Sequence, residues 1–429
     1  MIRISRTDCA FENEPFSAPF GFKGGYLTGS WQTAALLRSA TGAEGLGLGT
    51  QSPLWSDAGL FAANAEPAGN AMMFLMTAHA LKLAAGQSFE TPLDLLDRLL
   101  PEVHAYGKRI SGQENLRLTF ALNALVPVDN AAWMLYARET GKKNFDETVP
   151  PEFREALACR HERIACIPLF SYGLTIGQIR DAVEEGFFFA KIKVGSDPDK
   201  DGDLDKMLAW DQRRLSEIHD LLKDRRTPWT ESGRIPYYLD ANGRYDSKDR
   251  LLRLLDHAAK IGALERILLF EEPFPEEYEE EVGDLPVRIA ADESAHAEKH
   301  ARRRIDLGYG AIALKPIAKT LSMSLRIARA AHEAGIPCFC ADLTVGPILV
   351  DWNKAVAARL PALPGMKIGV LESNGHQNYR NWQAMMSYHP AAGAPWTEPR
   401  EGLFQLGEEF FNKSGGILET PAHFREMMR

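Results

Sequence analysis

From about Cys166 onward, short apolar or β-branched runs alternate with longer amphipathic ones, and this rhythm limits the fold more than any other feature of the chain. The strand candidates are CIPLF (166–170), FFFAKIKV (187–194), IPYYLD (235–240) and RILLFE (266–271). They continue with VRIAAD (287–292), AIALK (311–315), IPCFC (336–340) and KIGVLE (367–372). Between most of them lie helical runs such as TIGQIRDAVEEG, SKDRLLRLLDHAAKIG and TLSMSLRIARAAHEAG, which end in glycine as helix C-termini often do. Eight strands alternating with helices predict an α/β fold of the (β/α)8 TIM-barrel type rather than an open sheet. The link after the fourth strand, EEPFPEEYEEEVGDLP, is short and acidic, which predicts a degraded helix there. The charged segment 196–234 predicts a helix plus an arm.

The chain before this rhythm has another texture. It is rich in Gly and Ala, with stretches such as FGFKGGYLTGS and GAEGLGLGTQSPLW that read as irregular. A helical pattern follows from Glu114 to Thr140, interrupted by Pro127, which predicts two helices or a kink. Lys142 to Pro151 is polar and proline-ended, as a linker would be. The polar and aromatic C-terminal stretch is expected to pack back on the N-terminal part.

Composition excludes several classes. With 429 residues, 45% hydrophobic and 25% charged, the chain is an ordinary globular sequence and not a disordered one. A net charge of −9 and the absence of a Lys/Arg-dense tract argue against a nucleic-acid-binding surface. No stretch reaches the ~18 uninterrupted apolar residues of a membrane span. The nearest, Ala71 to Ala85, carries His79 and Lys82 and reads as a buried or amphipathic helix. The N-terminal MIRISRTDCAFENEP has no apolar signal region, and five cysteines suggest reduced thiols, so a cytoplasmic location is expected. Cys338 and Cys340 read as two small apolar strand positions rather than a metal pair.

The chemistry lies where polar residues fall on the strands. Lys191 and Lys193 sit in the second, Asp240 ends the third, and Glu271 and Glu272 end the fourth. Asp292 and Glu293 end the fifth, Lys315 the sixth and Glu372 the eighth. In such a barrel, residues at C-terminal strand ends converge on one mouth, where active sites form. Asp240, Glu271 and Asp292 would repel one another there unless a cation lies between them. Oxygen ligands favour a hard cation, Mg²⁺ or Mn²⁺. Any one of the three could instead cap a helix, but three on adjacent strands, with Asn242 and Ser294 nearby to cap, weigh against that.

Lys191 and Lys193 are two apart and share one face of their strand. Two ammonium groups near a dication lower each other's pKa, and a lysine near ~7–8 can serve as a general base. Lys315 stands in an apolar strand, where a lysine without a task is costly. Strands two and six are nearly opposite in a ring of eight, so Lys193 and Lys315 would face each other across the metal. That geometry suits taking a proton from one face of a carbon and returning one to the other.

From about residue 120 to 375 the chain resembles the enolase superfamily, within it the muconate-lactonizing-enzyme branch of the mandelate racemase/muconate lactonizing enzyme family. The matching pieces are VDNAAWMLYARETG (128–141), KIKVG (191–195), LDANG (239–243), FEEP (270–273), ADES (291–294) and ALKP (313–316). The resemblance implies a barrel over 146–375, capped by an α+β domain built from 1–145 and from the tail 376–429. By motif position, Asp240, Glu271 and Asp292 are the metal ligands, with Asn242 and Glu293 around them. Lys193 and Lys315 are the acid/base pair, and Lys191 assists at the substrate carboxylate. The implied activity is removal of the proton α to a carboxylate to give a metal-stabilised enediolate. The relatives that use a strand-seven His are not matched, since no His falls there and His376 comes later, in a loop.

The two-lysine site serves racemases and epimerases, which is the reading adopted for a small carboxylic acid or amino-acid derivative. Cycloisomerases and syn-dehydratases, muconate-cycloisomerase-like or o-succinylbenzoate-synthase-like, use the same site. Substrate contacts are expected from Lys23 and the aromatic loop around Phe20, Phe22 and Tyr26, from Gln51 to Ser56, and from Glu372 and Asn374. Dipeptide-epimerase relatives carry D-x-D where this chain has Glu372-x-Asn374, a departure from that pattern. Two further readings are a Schiff-base aldolase built on Lys315, which leaves the three carboxylates unexplained, and a non-catalytic acid-binding barrel. The partner expected is a small-molecule carboxylate, with no nucleic acid or membrane, and the resemblance implies assembly into homo-oligomers.

Overall fold

The computed structural model describes residues 1–428. Its first layer is an antiparallel sheet in the order β3-β2-β1-β4, formed by β1 (Ile2–Phe22), β2 (Gly25–Ser39), β3 (Glu44–Thr50) and β4 (Ser88–Phe89). The region read from sequence as irregular is therefore a long hairpin with a third strand on its edge. Only Lys23 and Gly24 link β1 to β2, with φ of 50° and 77°. A two-residue loop with both φ positive matches the right-handed twist of the flanking strands, which explains the F-K-G-G tip. A register shift between Pro15 and Phe20 interrupts the pairing with β2 below that tip.

The glycines of β3 have a different cause. Gly45, Gly47 and Gly49 face the helix Leu118–Glu139, and a Cβ on Gly45 or Gly47 would overlap the carbonyl of Ala131 or Pro127. The alternation E-G-L-G-L-G-T thus turns bare backbone to the helix and leucines to the other face. The helix itself runs unbroken through Pro127, against the expectation of two helices or a kink. The strand backbone lies against the proline ring: a Cβ on Gly49 would sit 2.6 Å from Pro127 Cδ. Tertiary packing overrides the local preference here. By length and composition this helix could cross a membrane, yet 94% of its most apolar window is buried inside the protein.

The second layer is the barrel. Its parallel strands are β5 (Arg163–Ile167), β6 (Leu169–Phe170), β7 (Ala190–Lys193), β8 (Tyr237–Asp240), β9 (Ile267–Glu271) and β10 (Ile289–Ala291). The remaining three are β11 (Ala311–Leu314), β12 (Cys338–Cys340) and β13 (Gly369–Glu372). All eight strands expected from sequence are present, the first of them split at Pro168 into β5 and β6. β5 pairs with β13 and β6 with β7, so the ring closes through that broken strand. No helix intervenes between β9 and β10, and 196–234 contains the helix Leu204–Leu222 followed by an arm.

Sequence reading missed β14 (Leu403–Gln405), which adds antiparallel to β5. The C-terminal stretch therefore joins the barrel as well as the first layer, which it reaches through His423–Glu12 at 2.8 Å and Arg425–Glu44 at 3.1 Å. The two layers also dock directly. Asp129 accepts from the backbone N–H of Ser322 at 3.1 Å and from its hydroxyl at 2.5 Å, and Trp133 Nε1 donates to the same hydroxyl at 3.0 Å.

Candidate active site

Strand register assembles the mouth. Lys193 lies opposite Asp240, and Asp240 opposite Glu271, so three functional side chains sit side by side at the C-terminal ends of β7, β8 and β9. Asp292 and Lys315 each follow directly on the last residue of β10 and β11, and Glu372 ends β13. With β7 and β11 four places apart in a closed ring of eight, Lys193 and Lys315 approach from opposite sides. All of these residues are buried.

Each lysine meets a carboxylate. Lys193 Nζ is 2.5 Å from Asp240 Oδ2 and also donates to Asn242 Oδ1. Lys191 Nζ reaches Asp240 Oδ2 at 2.9 Å, Glu372 Oε2 at 2.8 Å and Glu271 Oε2 at 3.5 Å. Lys315 Nζ is 2.5 Å from Asp292 Oδ2 and lies 4.6 Å from the Trp55 ring centroid. Burial alone would lower the pKa of Lys191, but Asp240, Glu271 and Glu372 reverse it and raise it well above the usual lysine range. Burial is likewise outweighed at Lys315 by Asp292, Glu271 and Glu293, and its pKa is raised. The lowering expected at Lys191 thus does not arise among the protein's own groups, because the three carboxylates outweigh burial.

A further lysine escaped the sequence reading. Lys319 is 0% exposed and sits 3.1 Å from Asp292 Oδ1, while donating to the carbonyls of Asp292 at 2.6 Å and of Ala295 and Ala313 at 3.3 Å. It lies one turn beyond Lys315 in L-K-P-I-A-K, and that i, i+4 spacing is the only trace it leaves in the sequence. Glu272, at φ 39°, accepts from Asp292 N at 2.8 Å and from the Ser294 hydroxyl at 3.0 Å, holding the end of β10.

The acids split into two groups. Glu271, Asp292 and Glu293 each offer a carboxylate oxygen within 4.8 Å of the others. Both oxygens of Glu271 and Oε2 of Glu293 are buried without a hydrogen-bond partner, and Oδ1 of Asp292 has only its ion pair with Lys319. Burial, together with the charge of Asp292, raises the Glu271 pKa in spite of Lys191. Unsatisfied buried anionic oxygens are costly, and an all-oxygen set of this kind fits a hard divalent cation. Asp240 stands beside the group: its Oδ2 meets the two lysines and its Oδ1 accepts from Asn242 N at 3.0 Å. Asn242 Nδ2 in turn donates to Glu293 Oε1 at 3.0 Å.

Above the lysines lies a small cavity of about 40 Å³. Glu372 and Asn374 line it, with Phe20 and Phe22 from the hairpin and Trp55 from the short helix Pro53–Ser56. Lys23 does not line it. Its ammonium is 3.1 Å from Glu293 and 3.7 Å from Glu276, and donates to the Trp55 carbonyl at 3.1 Å. Tyr26 is 52% exposed and points elsewhere, and His376 packs outside the cavity in a near-parallel stack 6.0 Å from Phe187. Phe16, Ser30, Asp342 and Thr344 also line the cavity and were not singled out from sequence. Their places depend on contacts between the two layers, as where Tyr379 accepts from Gln32 at 2.9 Å and donates to the Thr344 carbonyl at 2.7 Å.

A closed parallel barrel with a buried acid cluster and opposed lysines at its mouth, covered by an α+β layer, defines the class as a capped, cation-binding α/β barrel. Residues 175–382 match the family described as Enolase C-terminal domain-like. No curated protein matches the sequence. Among solved structures it is similar to a mandelate racemase/muconate lactonizing protein from Herpetosiphon aurantiacus, at 17% identity and TM-score 0.63 over 94% of this chain and 96% of that one. A dipeptide epimerase from Enterococcus faecalis V583, complexed with Mg and L-Leu-L-Tyr, is similar at 16% identity and TM-score 0.63, over 94% and 97% of the two chains. An L-talarate dehydratase from Polaromonas sp. JS666, complexed with Mg and L-glucarate, is similar at 17% identity and TM-score 0.61, over 95% and 93%.

Proposed function

We propose that this protein is an enzyme with Mg²⁺ as cofactor, that it removes and returns the proton α to a substrate carboxylate, and that it acts as a racemase or epimerase. The observation that carries this reading is the placement of Lys193 and Lys315 on opposite sides of one cavity, next to buried carboxylate oxygens that lack partners. Asp240, Glu271 and Asp292 would hold the ion, with Glu293 within reach. A bound Mg²⁺ would supply the positive charge that steadies an enediolate and offsets the carboxylates now holding Lys315 protonated.

The rest is done by the chain's own groups. Lys191, between Asp240 and Glu372, orients the substrate carboxylate by charge and hydrogen bonding. One of Lys193 and Lys315 takes the α-proton as a neutral amine, and the other, as an ammonium, returns a proton to the opposite face. Each turnover then ends with the two protonation states exchanged, and racemisation in both directions follows. Segment 1–145, braced from the C-terminal side by Tyr379, closes the mouth and excludes water, while 146–375 carries the reacting groups. The five cysteines form no disulfide, in keeping with a cytoplasmic enzyme.

The test is deuterium uptake. The protein is incubated in D₂O with Mg²⁺, with and without EDTA, against pooled dipeptides, N-acylated amino acids, hydroxy acids and sugar acids. Mass spectrometry should find one deuterium gained at the α-carbon, lost with EDTA. A product of altered mass or connectivity would move the protein to the dehydratases or cycloisomerases, and absence of exchange across the pool would remove the proton-transfer reading.

A further inference from the structure

A second and larger cavity, of about 440 Å³, shares no lining residue with the one above the lysines. It lies where β14 joins β5, between the turn 397–402, the loop after the helix Ile176–Glu184 and the segment that follows β13. Backbone contacts hold its frame. Gly402 and Gly186, at φ of 71° and 102°, approach so closely that a Cβ on Gly402 would sit 2.6 Å from the Gly186 carbonyl oxygen, and one on Gly186 would sit 2.6 Å from Glu401 Cα. Trp382 rests on Gly375 in the same way, since a Cβ there would lie 2.6 Å from its ring. Such approaches require glycine, and they leave the cavity preformed, as ligand sites commonly are.

Its walls combine aromatic rings with acids. Phe187 and His376 are near-parallel with centroids 6.0 Å apart, and Trp382 stands at 66° to His376 at 6.2 Å, so the three rings form a row. Burial pushes the His376 pKa down to about 4, which leaves its imidazole neutral at neutral pH, and neither ring nitrogen has a hydrogen-bond partner among the described residues. Ser373 is 2% exposed. Its backbone N–H donates to the Ile167 carbonyl at 3.1 Å and its carbonyl accepts from the Cys166 thiol at 3.9 Å, but its hydroxyl has no partner among the described residues. Glu185, Glu398 and Glu401 are exposed at the rim, in no ion pair among the described residues, and no Lys or Arg lines the cavity.

That composition selects by charge. An anion would meet carboxylates and no cation. A bare metal ion would lack a ligand set, because among the described residues the acids close enough to share one ion are Glu271, Asp292 and Glu293, in the other cavity. Ring faces attract a cation that sheds its water easily, and carboxylates around the entrance raise its local concentration. We propose that this cavity is a second ligand site for a small organic cation of the alkylated or quaternary ammonium class, held against the row Phe187–His376–Trp382 with Glu185, Glu398 and Glu401 as its counter-charge. A hydroxyl or carbonyl on the ligand would give the buried Ser373 hydroxyl the partner it lacks. The site is separate from the reacting lysines, and the assignment does not depend on which reaction they run.

Calorimetry on the Mg²⁺-loaded protein tests it with choline, with benzyltrimethylammonium and with 3,3-dimethylbutan-1-ol, which has the shape of choline without its charge. At least one of the two cations should bind, and choline should bind about tenfold more tightly than its neutral isostere. Trp382→Ala should weaken cation binding about fivefold or more. The combined variant Glu185→Gln, Glu398→Gln, Glu401→Gln changes exposed side chains only, so it keeps the test open if Trp382→Ala does not fold, and it should weaken binding about threefold or more. Failure of both cations to bind overturns the proposal, as does equal binding of choline and its isostere. Cation binding that survives both variants unchanged would place the cation elsewhere on the protein and overturn it as well.

Discussion

The barrel and the layer that covers it are built on opposite principles. In the barrel, the strands are mostly apolar, and the departures at or near their C-terminal ends (Lys191, Lys193, Asp240, Glu271, Lys315, Glu372) are the groups that converge at the mouth. In the covering layer, the cavity is lined by apolar side chains indistinguishable in kind from core, and the departures from ordinary strand composition, the glycines of β3, face the backbone of the helix Leu118–Glu139. A polar residue out of place thus marks chemistry in one region, whereas a small residue out of place marks close backbone approach in the other. Rate should therefore be lost through the barrel, and selectivity or stability through the cover.

The largest expected effect is on rate. Lys193→Ala and Lys315→Ala should each reduce turnover by about 10²–10⁴-fold, the usual contribution of a general acid or base, with secondary structure and melting curve retained. Exchange of the α-proton from one enantiomer only, in one of the variants, would show which face each lysine serves. Wild-type turnover in either would remove that lysine from the pair. Asp240→Asn and Glu293→Gln, compared by Mg²⁺ titration, sharpen the ligand set, since the structure gathers Glu293 with Glu271 and Asp292 while Asp240 is held by lysines.

Lys319→Met should act on stability first. The change takes the ion pair from Asp292 Oδ1 and the donor from three carbonyls while Lys315 still holds Oδ2, so the loss read from denaturant midpoints should stay below the cost of a fully unpaired buried charge, about 3–5 kcal/mol. Mg²⁺ should recover part of that loss by binding the native state, and a variant as stable as the parent would mean that Lys319 does not hold Asp292 in place.

Gly47→Ala tests the cover. The added methyl would overlap the Pro127 carbonyl, and overpacking of this kind costs about 1–3 kcal/mol. Gly173→Ala, where nothing lies within 4 Å of the new Cβ, is the control and should be neutral. Equal melting temperatures for the two would break the close-approach argument.

The smallest effect is a pH dependence at the contact between the two regions. Burial pushes the Asp129 carboxyl up to about 6, against the hydrogen bonds from Ser322. The folded state then binds more protons than the unfolded one, whose carboxyl titrates near ~3.9. This contribution to stability is therefore present at low pH and is lost as pH rises from about 4 to about 6. Asp129→Asn should remove this pH dependence, so that its difference in melting temperature from wild type changes across that window. A difference that stays constant with pH would contradict the assignment.

Much of the barrel was legible because its signals are local. Eight runs with the right spacing, and ionisable residues at their ends, follow from strand periodicity and from the high cost of burying a charge without purpose. Pro168 splits the first strand without obscuring it. The cover was not legible, since β1 and β2 find their partners across a hairpin and the glycines of β3 make sense only beside the helix they touch. Lys23 looked like a substrate contact until its ammonium was seen committed to Glu293. Lys319 looked like an ordinary helix residue until Asp292 and three carbonyls were seen around it.

The parallel α/β rhythm and the identity and order of the residues at the strand ends are written in the local pattern of the chain. Both depend on neighbours a few positions apart, where chain connectivity already dictates which way a side chain faces. Only the tertiary structure decided which carboxylate oxygens lack partners, which lysines are already paired and which wall of the cavity is without charge. Those are properties of groups far apart in the chain, brought into contact by the packing of the barrel against its cover, and no local pattern encodes them.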